Sequence, residues 1–476
     1  MDFDGPIDLV NELRVRRYSE IFSNARRDPK FPAWVSTLHP EHRACRLEGA
    51  VLHGASHICQ RFVFDDDDKT TWLLRLPIPG YVAKAYADEK VAMEVEVLAL
   101  LRDKTSIPVP DVKAWGLTSD NPLGLGPYIL MDFIKGVGIN EALCKESARL
   151  LPKDVDMDRL RRVYREMARI QLQLFSLDFD HMGSLPTPKT GFPVPAPALT
   201  FKLHDILISG GVDTFGNRTE RFEIDEDYFE HLYQQQWAQL DRQPGGWKSI
   251  VQEYKNYKVL QAVLPEFIIP GTEDSGAFKF FCDDLGLRNV LYRSKDDLTP
   301  VAVIDWEWSY AAPVQLAGSA PWWLLQGRPS NWDMQKDPSV EEIADRFVQH
   351  LEVYKPILQE EEKAISPDGR TPLTDLVTRS QETGSMWMHM LLTAGFVGGA
   401  TAAFVMVRRF VGEERWLELE KTVVNEDEMQ VWVKRKLAQE KENDELEKKV
   451  KADVEAVNKK EMTFDDFLAK WGYLSD

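Results

Sequence analysis

The chain has 476 residues, of which 43% are hydrophobic and 28% charged, enough to bury one large core or two cores with a cleft between them. Its formal net charge of −19 at pH 7 argues against a nucleic-acid partner, because such binding depends on clustered lysine and arginine. An acidic field is better suited to neutral or cationic ligands.

The cysteines and the N-terminal residues indicate the compartment. No two of the four cysteines form a C-x-x-C pair, which predicts neither a disulfide framework nor a zinc site and fits a reducing environment: Cys45, Cys59, Cys144 and Cys282. The first twenty residues carry several acidic side chains and no apolar core segment, unlike a secretory signal. We therefore expect an intracellular, cytoplasmic protein.

One segment has the length and composition of a membrane helix. Residues 384–407 contain no Asp, Glu, Lys or Arg and are long enough to cross a bilayer. Their glycine and alanine content fits membrane helix contacts and equally a helix packed in a large core. His389 and the single occurrence of such a segment favour the core, so no membrane association is expected. Nothing in the sequence indicates an oligomeric state.

A small antiparallel sheet with one helix is predicted near the N-terminus. Strands are indicated by the alternation of Ile58–Phe64 and by Thr71–Leu76, which follows an acidic turn. A helix is expected from about Ala85 to Arg102, and another apolar strand at Tyr128–Ile134.

The rest of the chain is predicted to be mostly helical. From about residue 140 the apolar spacing is that of helices, interrupted by a short strand region between Phe278 and Ile304. The Lys- and Glu-rich tail is expected to be a solvated helix laid along the larger lobe rather than a partner-binding coiled coil. The predicted organisation is an N-terminal helical extension (1–40), a small lobe (41–134), a large lobe (135–425) and a charged helical tail (426–476).

The segment Phe281–Leu291 carries the most specific chemical signal. Asp284 is followed five residues later by Asn289, and a strand further along ends in Asp305. This spacing resembles the D-x-x-x-x-N catalytic loop of kinases, which implies that Asp284 is the base and Asn289 a metal ligand. Asp305 would supply the second oxygen ligand for Mg²⁺. The alternative for Asp284 and Asn289 is simple turn hydrogen bonding.

The residues after Asp305 extend the resemblance. Ile304–Glu307 reads Ile-Asp-Trp-Glu, and together with the loop it resembles the aminoglycoside phosphotransferase family, whose pattern is H-G-D-L-x-x-x-N followed by I-D-W-E. Thr105–Pro110 and Gly126–Met131 are similar to the fungal branch of that family. The resemblance covers roughly residues 41–330. It implies an α+β, bilobal, protein-kinase-like fold and an ATP- or GTP-dependent transfer of phosphate to a hydroxyl of a small molecule.

The small lobe is expected to hold the nucleotide phosphates. Glu94 lies on the apolar stripe of the predicted helix, and a buried carboxylate needs a cationic partner. Arg75 is the candidate, because strand alternation places it with Leu73 on the face opposite Trp72. An arginine at a solvated strand edge is the alternative.

Three further residues are assigned to nucleotide binding by position. Met131 and Phe133 stand where a hinge between lobes would present backbone groups to the base. Ser56 follows Gly54 in a weakly glycine-rich hairpin that is expected to cover the phosphates, and the chain has no G-x-x-x-x-G-K-[ST] P-loop.

Three departures from the family pattern favour an alternative function. Cys282 stands in place of His, Asp283 in place of Gly, and Arg75 in place of the usual Lys. The alternative is a weak or inactive pseudokinase with a nucleotide-binding or regulatory role. A protein kinase is disfavoured because Ile304–Glu307 replaces an Asp-Phe-Gly segment and no Ala-Pro-Glu follows.

Overall fold

The computed structural model describes residues 5–144, 149–193, 197–214, 218, 222–247, 249–269, 278–329, 332, 339–393 and 401–475. All elements and contacts given below refer to these residues.

A five-stranded antiparallel sheet forms the small lobe. Its strands lie in the order β1-β2-β3-β5-β4: β1 (Cys45–His53), β2 (His57–Phe64), β3 (Thr71–Pro77), β4 (Val112–Gly116) and β5 (Tyr128–Asp132). The strands predicted at Ile58–Phe64, Thr71–Leu76 and Tyr128–Ile134 are present as β2, β3 and β5. Strand β4 was not predicted, because four of its five residues are only half buried and show no alternation.

Helices cover both faces of this sheet. Helices α1 (Gly5–Arg27) and α2 (Lys30–Thr37) pack on one face, where Trp72 belongs to the same core as Phe31. Helix α3 (Ala87–Lys104) packs on the other face, with Val91 against Met131. Strand alternation therefore sends Trp72 towards α1 and α2, and Arg75 towards α3, as the sequence predicted.

The large lobe is mostly helical. Its helices are α4 (Ile139–Leu143), α5 (Met157–Phe175), α6 (Phe201–Gly210), α7 (Asp225–Arg242), α8 (Ile250–Phe267), α9 (Val314–Ala317), α10 (Val340–Ile365), α11 (Pro372–Glu382), α12 (Ser385–Thr393), α13 (Ala402–Val411) and α14 (Glu413–Val423). Helix α5 illustrates why they form: Asp156 accepts hydrogen bonds from the first-turn N–H groups, and Leu160 and Val163 begin a buried stripe.

Two short sheets position the predicted catalytic loop. Strands β6 (Asp178–Phe179), β7 (Phe278–Cys282) and β10 (Ser309–Ala312) pair in the order β10-β7-β6. Strands β8 (Val290–Tyr292) and β9 (Pro300–Val303) form a separate hairpin. The loop around Asp284 thus runs from β7 to β8, and Asp305 follows β9. The α+β, bilobal fold class is confirmed.

The charged tail connects the two ends of the chain. It consists of α15 (Glu426–Asn458) and α16 (Phe464–Trp471). Near its start, Trp432 packs in the large core, whereas Val450 and Phe467 pack with Val10 of α1. The tail therefore reaches beyond the large lobe, along which it was expected to lie, to the N-terminal extension.

The apolar segment 384–407 contains α12 and most of α13, and its residues 394–400 lie outside the described part of the chain. Met386–Leu392 are buried. In the described ranges, every helix is either too short or too polar to cross a bilayer.

Candidate active site

A cleft of about 220 Å³ lies between the small sheet and the large lobe. Its walls come from the turn between β1 and β2, from β3, β5 and α3, and from the loops that follow β7 and β9. Six of the eight predicted site residues line it: Ser56, Arg75, Glu94, Met131, Asp284 and Asp305.

Arg75 joins three carboxylates in this cleft. One guanidinium nitrogen donates to Glu94, the partner that the sequence indicated, while the other lies 2.7 Å from Asp305 Oδ1 and 3.1 Å from Glu307 Oε2. Burial works to lower the pKa of Arg75, but the three carboxylates outweigh burial and raise it. The cation therefore stays charged where nucleotide phosphates are expected.

A second buried cation was missed by the sequence reasoning. Lys90 is only 1% exposed and donates to Glu307, and its Nζ lies 3.1 Å from His57 Nε2. Burial lowers the pKa of Lys90 despite Glu307. For Glu307, burial acts to raise the pKa, but Lys90 and Arg75 hold it below its usual value. Lys90 precedes Glu94 by four residues, so helical spacing was a signal for it, and Glu307 was part of the Ile-Asp-Trp-Glu motif but had been given no role.

His57, Glu94 and Glu307 also present donor atoms close enough together to share a metal ion. Two cations, Arg75 and Lys90, already contact this group, so a metal ion there would meet their repulsion. We interpret the group as a salt-bridge network.

Asp305 is held in a strained conformation. Its φ of 62° lies in the left-handed region, which is unfavourable for a residue other than glycine. Two hydrogen bonds fix the turn: Ile304 N–H donates to Asn289 O at 2.8 Å and the Trp306 indole donates to Val303 O at 3.0 Å. Burial raises the pKa of the Asp305 carboxyl, and Arg75 opposes that rise.

Asp284 and Asn289 lie together in the loop after β7. Asn289 Nδ2 donates to the main-chain oxygen of Asp284 at 2.8 Å, and it lies 3.4 Å from Asp284 Oδ2. The turn hydrogen bonds that were the alternative interpretation are therefore present. They use the amide nitrogen of Asn289, and within the described ranges its Oδ1 accepts no hydrogen bond, as a metal ligand requires.

The remaining predicted residues differ in their placement. Ser56 Oγ lies 2.9 Å from His57 Nδ1 at the edge of the cleft, and Met131 is buried against it. The ring of Phe133 lies outside the cleft lining and packs under the guanidinium of Arg61, whose Cζ is 4.9 Å from the ring centre. Only backbone groups of Phe133 are therefore candidates for nucleotide contact.

The model of the phosphotransferase enzyme family matches residues 52–315, more than half of the chain. The chain belongs to this family. The match includes the cleft, the predicted catalytic loop and the hairpin that leads to Asp305.

Several curated fungal proteins are similar over part of their length. Altered inheritance of mitochondria protein 9, mitochondrial, of Candida glabrata is 25% identical over 162 residues, which cover 32% of this chain and 25% of that protein. The protein of the same name from Yarrowia lipolytica is 24% identical over 329 residues, 62% of this chain and 55% of that protein. The chain thus spans between a quarter and about half of these relatives. The cytoplasmic location stays a prediction.

Solved structures of small-molecule phosphotransferases are also similar. A macrolide 2′-phosphotransferase type I is 13% identical, with a TM-score of 0.38, over 84% of this chain and 98% of that one.

The structure shows the surroundings of two residues that depart from the family pattern, Asp283 and Cys282. Asp283 turns away from the cleft: its Oδ2 accepts from Phe201 N–H at 2.9 Å and its Oδ1 from the Tyr310 hydroxyl at 3.0 Å. Burial raises the pKa of Asp283 to about 6. Cys282 is 6% exposed, and burial raises the pKa of its thiol to about 12, which suits an inert core residue rather than a nucleophile.

A third cation, Arg328, lies near the predicted catalytic loop and was not among the predicted site residues. Arg328 Nη2 lies 2.8 Å from Asp284 Oδ1 and 2.5 Å from the main-chain oxygen of Asp283. The contact joins residues 44 apart in sequence, and no motif pointed to it.

Proposed function

We propose that this member of the phosphotransferase enzyme family transfers the terminal phosphate of ATP or GTP to a hydroxyl of a small molecule. Asp284 is the base, Asn289 and Asp305 hold Mg²⁺, and Arg75 with Glu94 positions the phosphates. Ser56 covers the phosphates, and the backbone at Met131 and Phe133 receives the nucleobase. Residues 41–134 would form the nucleotide-binding lobe and 135–425 the catalytic lobe.

The observation that carries the proposal is the convergence of the Arg75–Glu94 pair, Asp284 and Asp305 on one cleft. These residues come from separate parts of the chain, and each has the chemistry that phosphoryl transfer uses. Carboxylate and amide oxygens of Asp305 and Asn289 suit Mg²⁺, which when bound neutralises charge on the transferred phosphate.

The protein's own groups supply positioning and one proton acceptor. Asp284 hydrogen-bonds the acceptor hydroxyl and takes its proton, as the hydroxyl oxygen forms a bond to the terminal phosphorus and the bond to the diphosphate breaks. Arg75 donates to phosphate oxygens from a position fixed by Glu94. Most of the rate enhancement would come from this orientation and charge neutralisation.

A nucleotide-binding protein without turnover is the second candidate. Arg75 forms an ion pair with Asp305, and Arg328 forms one with Asp284. The reaction needs both carboxylates, so these ion pairs favour the second candidate. The two candidates share nucleotide binding and differ in whether Asp284 performs chemistry.

Thermal shift with Mg-ATP and Mg-GTP, followed by assay of nucleotide consumption, separates the possibilities. We expect a magnesium-dependent rise in melting temperature that Asp305→Asn removes, because it loses a charged metal ligand. Asp284→Asn should keep the rise and lower nucleotide consumption by about 10²- to 10⁴-fold, the usual contribution of a general base.

The exposed variant Asp368→Asn serves as a control and should leave both readouts unchanged. Binding without any consumption that depends on Asp284 would favour the second candidate. Absence of a magnesium-dependent shift with either nucleotide would contradict both.

A further inference from the structure

Arg328 is fixed beside the proposed catalytic base by more than its ion pair. Its guanidinium Cζ lies 4.2 Å from the ring centre of Phe201 and 4.6 Å from that of Trp322. Its side chain is 14% exposed. Two aromatic faces and a backbone carbonyl therefore hold this cation in one place, which lowers the entropy cost of using it to bind a ligand.

The guanidinium has donors to spare. Nη2 is used by Asp284 Oδ1 and by the main-chain oxygen of Asp283. Within the described part of the chain, Nε and Nη1 of Arg328 have no hydrogen-bond acceptor. An arginine presents its five N–H groups as a planar fork suited to a carboxylate or phosphate, and part of this fork is still available.

Positive charge is concentrated at this point. Arg288, in the same loop as Asp284, is close enough to Asp284, Arg328 and Arg149 for direct electrostatic interaction. Asp284 is therefore close to two guanidinium groups, those of Arg328 and Arg288, and a third, that of Arg149, is close to Arg288. The whole chain carries a net charge of −19, so a group of arginines beside the catalytic carboxylate departs from its average surface.

The geometry points to an acceptor that carries an anionic group, a phosphate or a carboxylate, bound by Arg328 and Arg288 next to its reacting hydroxyl. This inference rests on the proposed function, and it adds the charge of the substrate. It also reverses locally the expectation of neutral or cationic ligands that the net charge suggested.

The ion pair between Arg328 and Asp284 gains a role in this scheme. Without acceptor, Arg328 neutralises the carboxylate of the base. An incoming anion provides alternative acceptors for the same fork, so Asp284 loses part of its ion pair when the substrate hydroxyl arrives. Arg328 is therefore a substrate-binding residue that also controls how strongly the carboxylate of Asp284 is ion-paired.

A matched set of probes tests the inference: glycerol, D-glycerate and glycerol 3-phosphate, which share hydroxyl groups and differ in charge. Melting temperatures are measured at constant ionic strength, with and without Mg-ATP. We expect the anionic probes to stabilise the protein more than glycerol does, and the larger of the two anionic shifts tells a phosphate site from a carboxylate site. Arg328→Gln should lower affinity for the preferred anion roughly 10- to 100-fold, the loss expected for a charge-assisted hydrogen bond.

Two further variants make the result specific. Arg328→Lys keeps the charge and should recover part of the affinity, whereas Arg293→Gln, whose side chain is 62% exposed at the tip of the β8–β9 hairpin, should behave as the unchanged chain. Equal shifts with glycerol and the anions, or an anion shift that survives in Arg328→Gln, would overturn the inference. Loss of the Mg-ATP shift alone would instead count against the proposed function.

Discussion

Two buried cations, Arg75 and Lys90, together hold the carboxylates in the cleft. Arg75 contacts Glu94, Asp305 and Glu307 at once through two nitrogens of its planar fork. Lys90 then supplies a compact charge to Glu307 from the helix behind. Arginine in place of the usual strand lysine is thus matched by its surroundings, because its fork has three carboxylates as neighbours.

Lys90→Met tests the buried network at the residue scale. The change keeps the length of the side chain and removes its charge, which leaves Glu307 with Arg75 as its remaining cationic neighbour among the described residues. We expect the free energy of unfolding to fall by about 3 kcal/mol, the low end for breaking a buried ion pair, because Arg75 still contacts Glu307. Urea unfolding measures the loss.

The double variant Lys90→Met with Glu307→Gln should lose less than the single one, because no unpaired carboxylate remains. Lys104→Met, whose side chain is 60% exposed, provides the surface control and should change stability by less than about 0.5 kcal/mol. A Lys90→Met protein as stable as the original would show that the pair with Glu307 contributes nothing.

At the scale of elements, helix α15 is the longest described helix and links regions that the cleft separates. It begins against the large core through Met429 and Trp432, and it ends against α1, which in turn packs on the small sheet through Phe22. Helix α16 completes this terminal cluster with Phe467 and Trp471. The tail therefore braces the small lobe against the large one by a path independent of the hinge.

Phe467→Ala is expected to detach α16 and the end of α15. Phe467 is fully buried, so the truncation should cost about 3–5 kcal/mol of local stability through lost burial and the cavity left behind. Because the sequence after residue 433 is rich in lysine, limited digestion with trypsin should cut the variant there much faster.

Leu437→Ala is the matched control, since Leu437 is 53% exposed on the same tail. It should change the digestion rate little. Equal digestion of the Phe467→Ala and Leu437→Ala proteins would mean that α16 does not hold the tail in place.

Across the whole molecule, the sequence best predicted those features whose residues lie close together in the chain. Asp284 and Asn289 lie five residues apart in one loop, and the alternation within β3 indicated which way Arg75 points. The contact between Lys90 and Glu307 spans 217 residues, and no periodicity reports such a distance. The same holds for the packing of Val10 with Val450, which helps to join the two ends of the chain.

The protonation of His389 predicts how the stability of the whole protein depends on pH. The residue is 3% exposed, stacks on Phe229 with ring centres 5.1 Å apart, and neither ring nitrogen has a hydrogen-bond partner among the described residues. Burial lowers its pKa to about 3, against about 6.5 in an unfolded chain. Below pH 6.5 the unfolded state therefore binds a proton that the folded state does not, so the stability that neutral His389 allows is lost as pH falls.

His389→Phe should remove this contribution to the pH dependence of stability, because phenylalanine keeps the stacking and adds no titrating group. A cavity of about 70 Å³ beside the ring gives the new side chain room. Between pH 6.5 and 4 the unfolding free energy of the variant should depend on pH less steeply by about 1.4 kcal/mol per pH unit. Urea unfolding at several pH values measures both slopes, with the exposed His53→Gln as the control that should match the original chain. Parallel slopes for His389→Phe and the original would mean that His389 becomes protonated in the folded protein as easily as in the unfolded one.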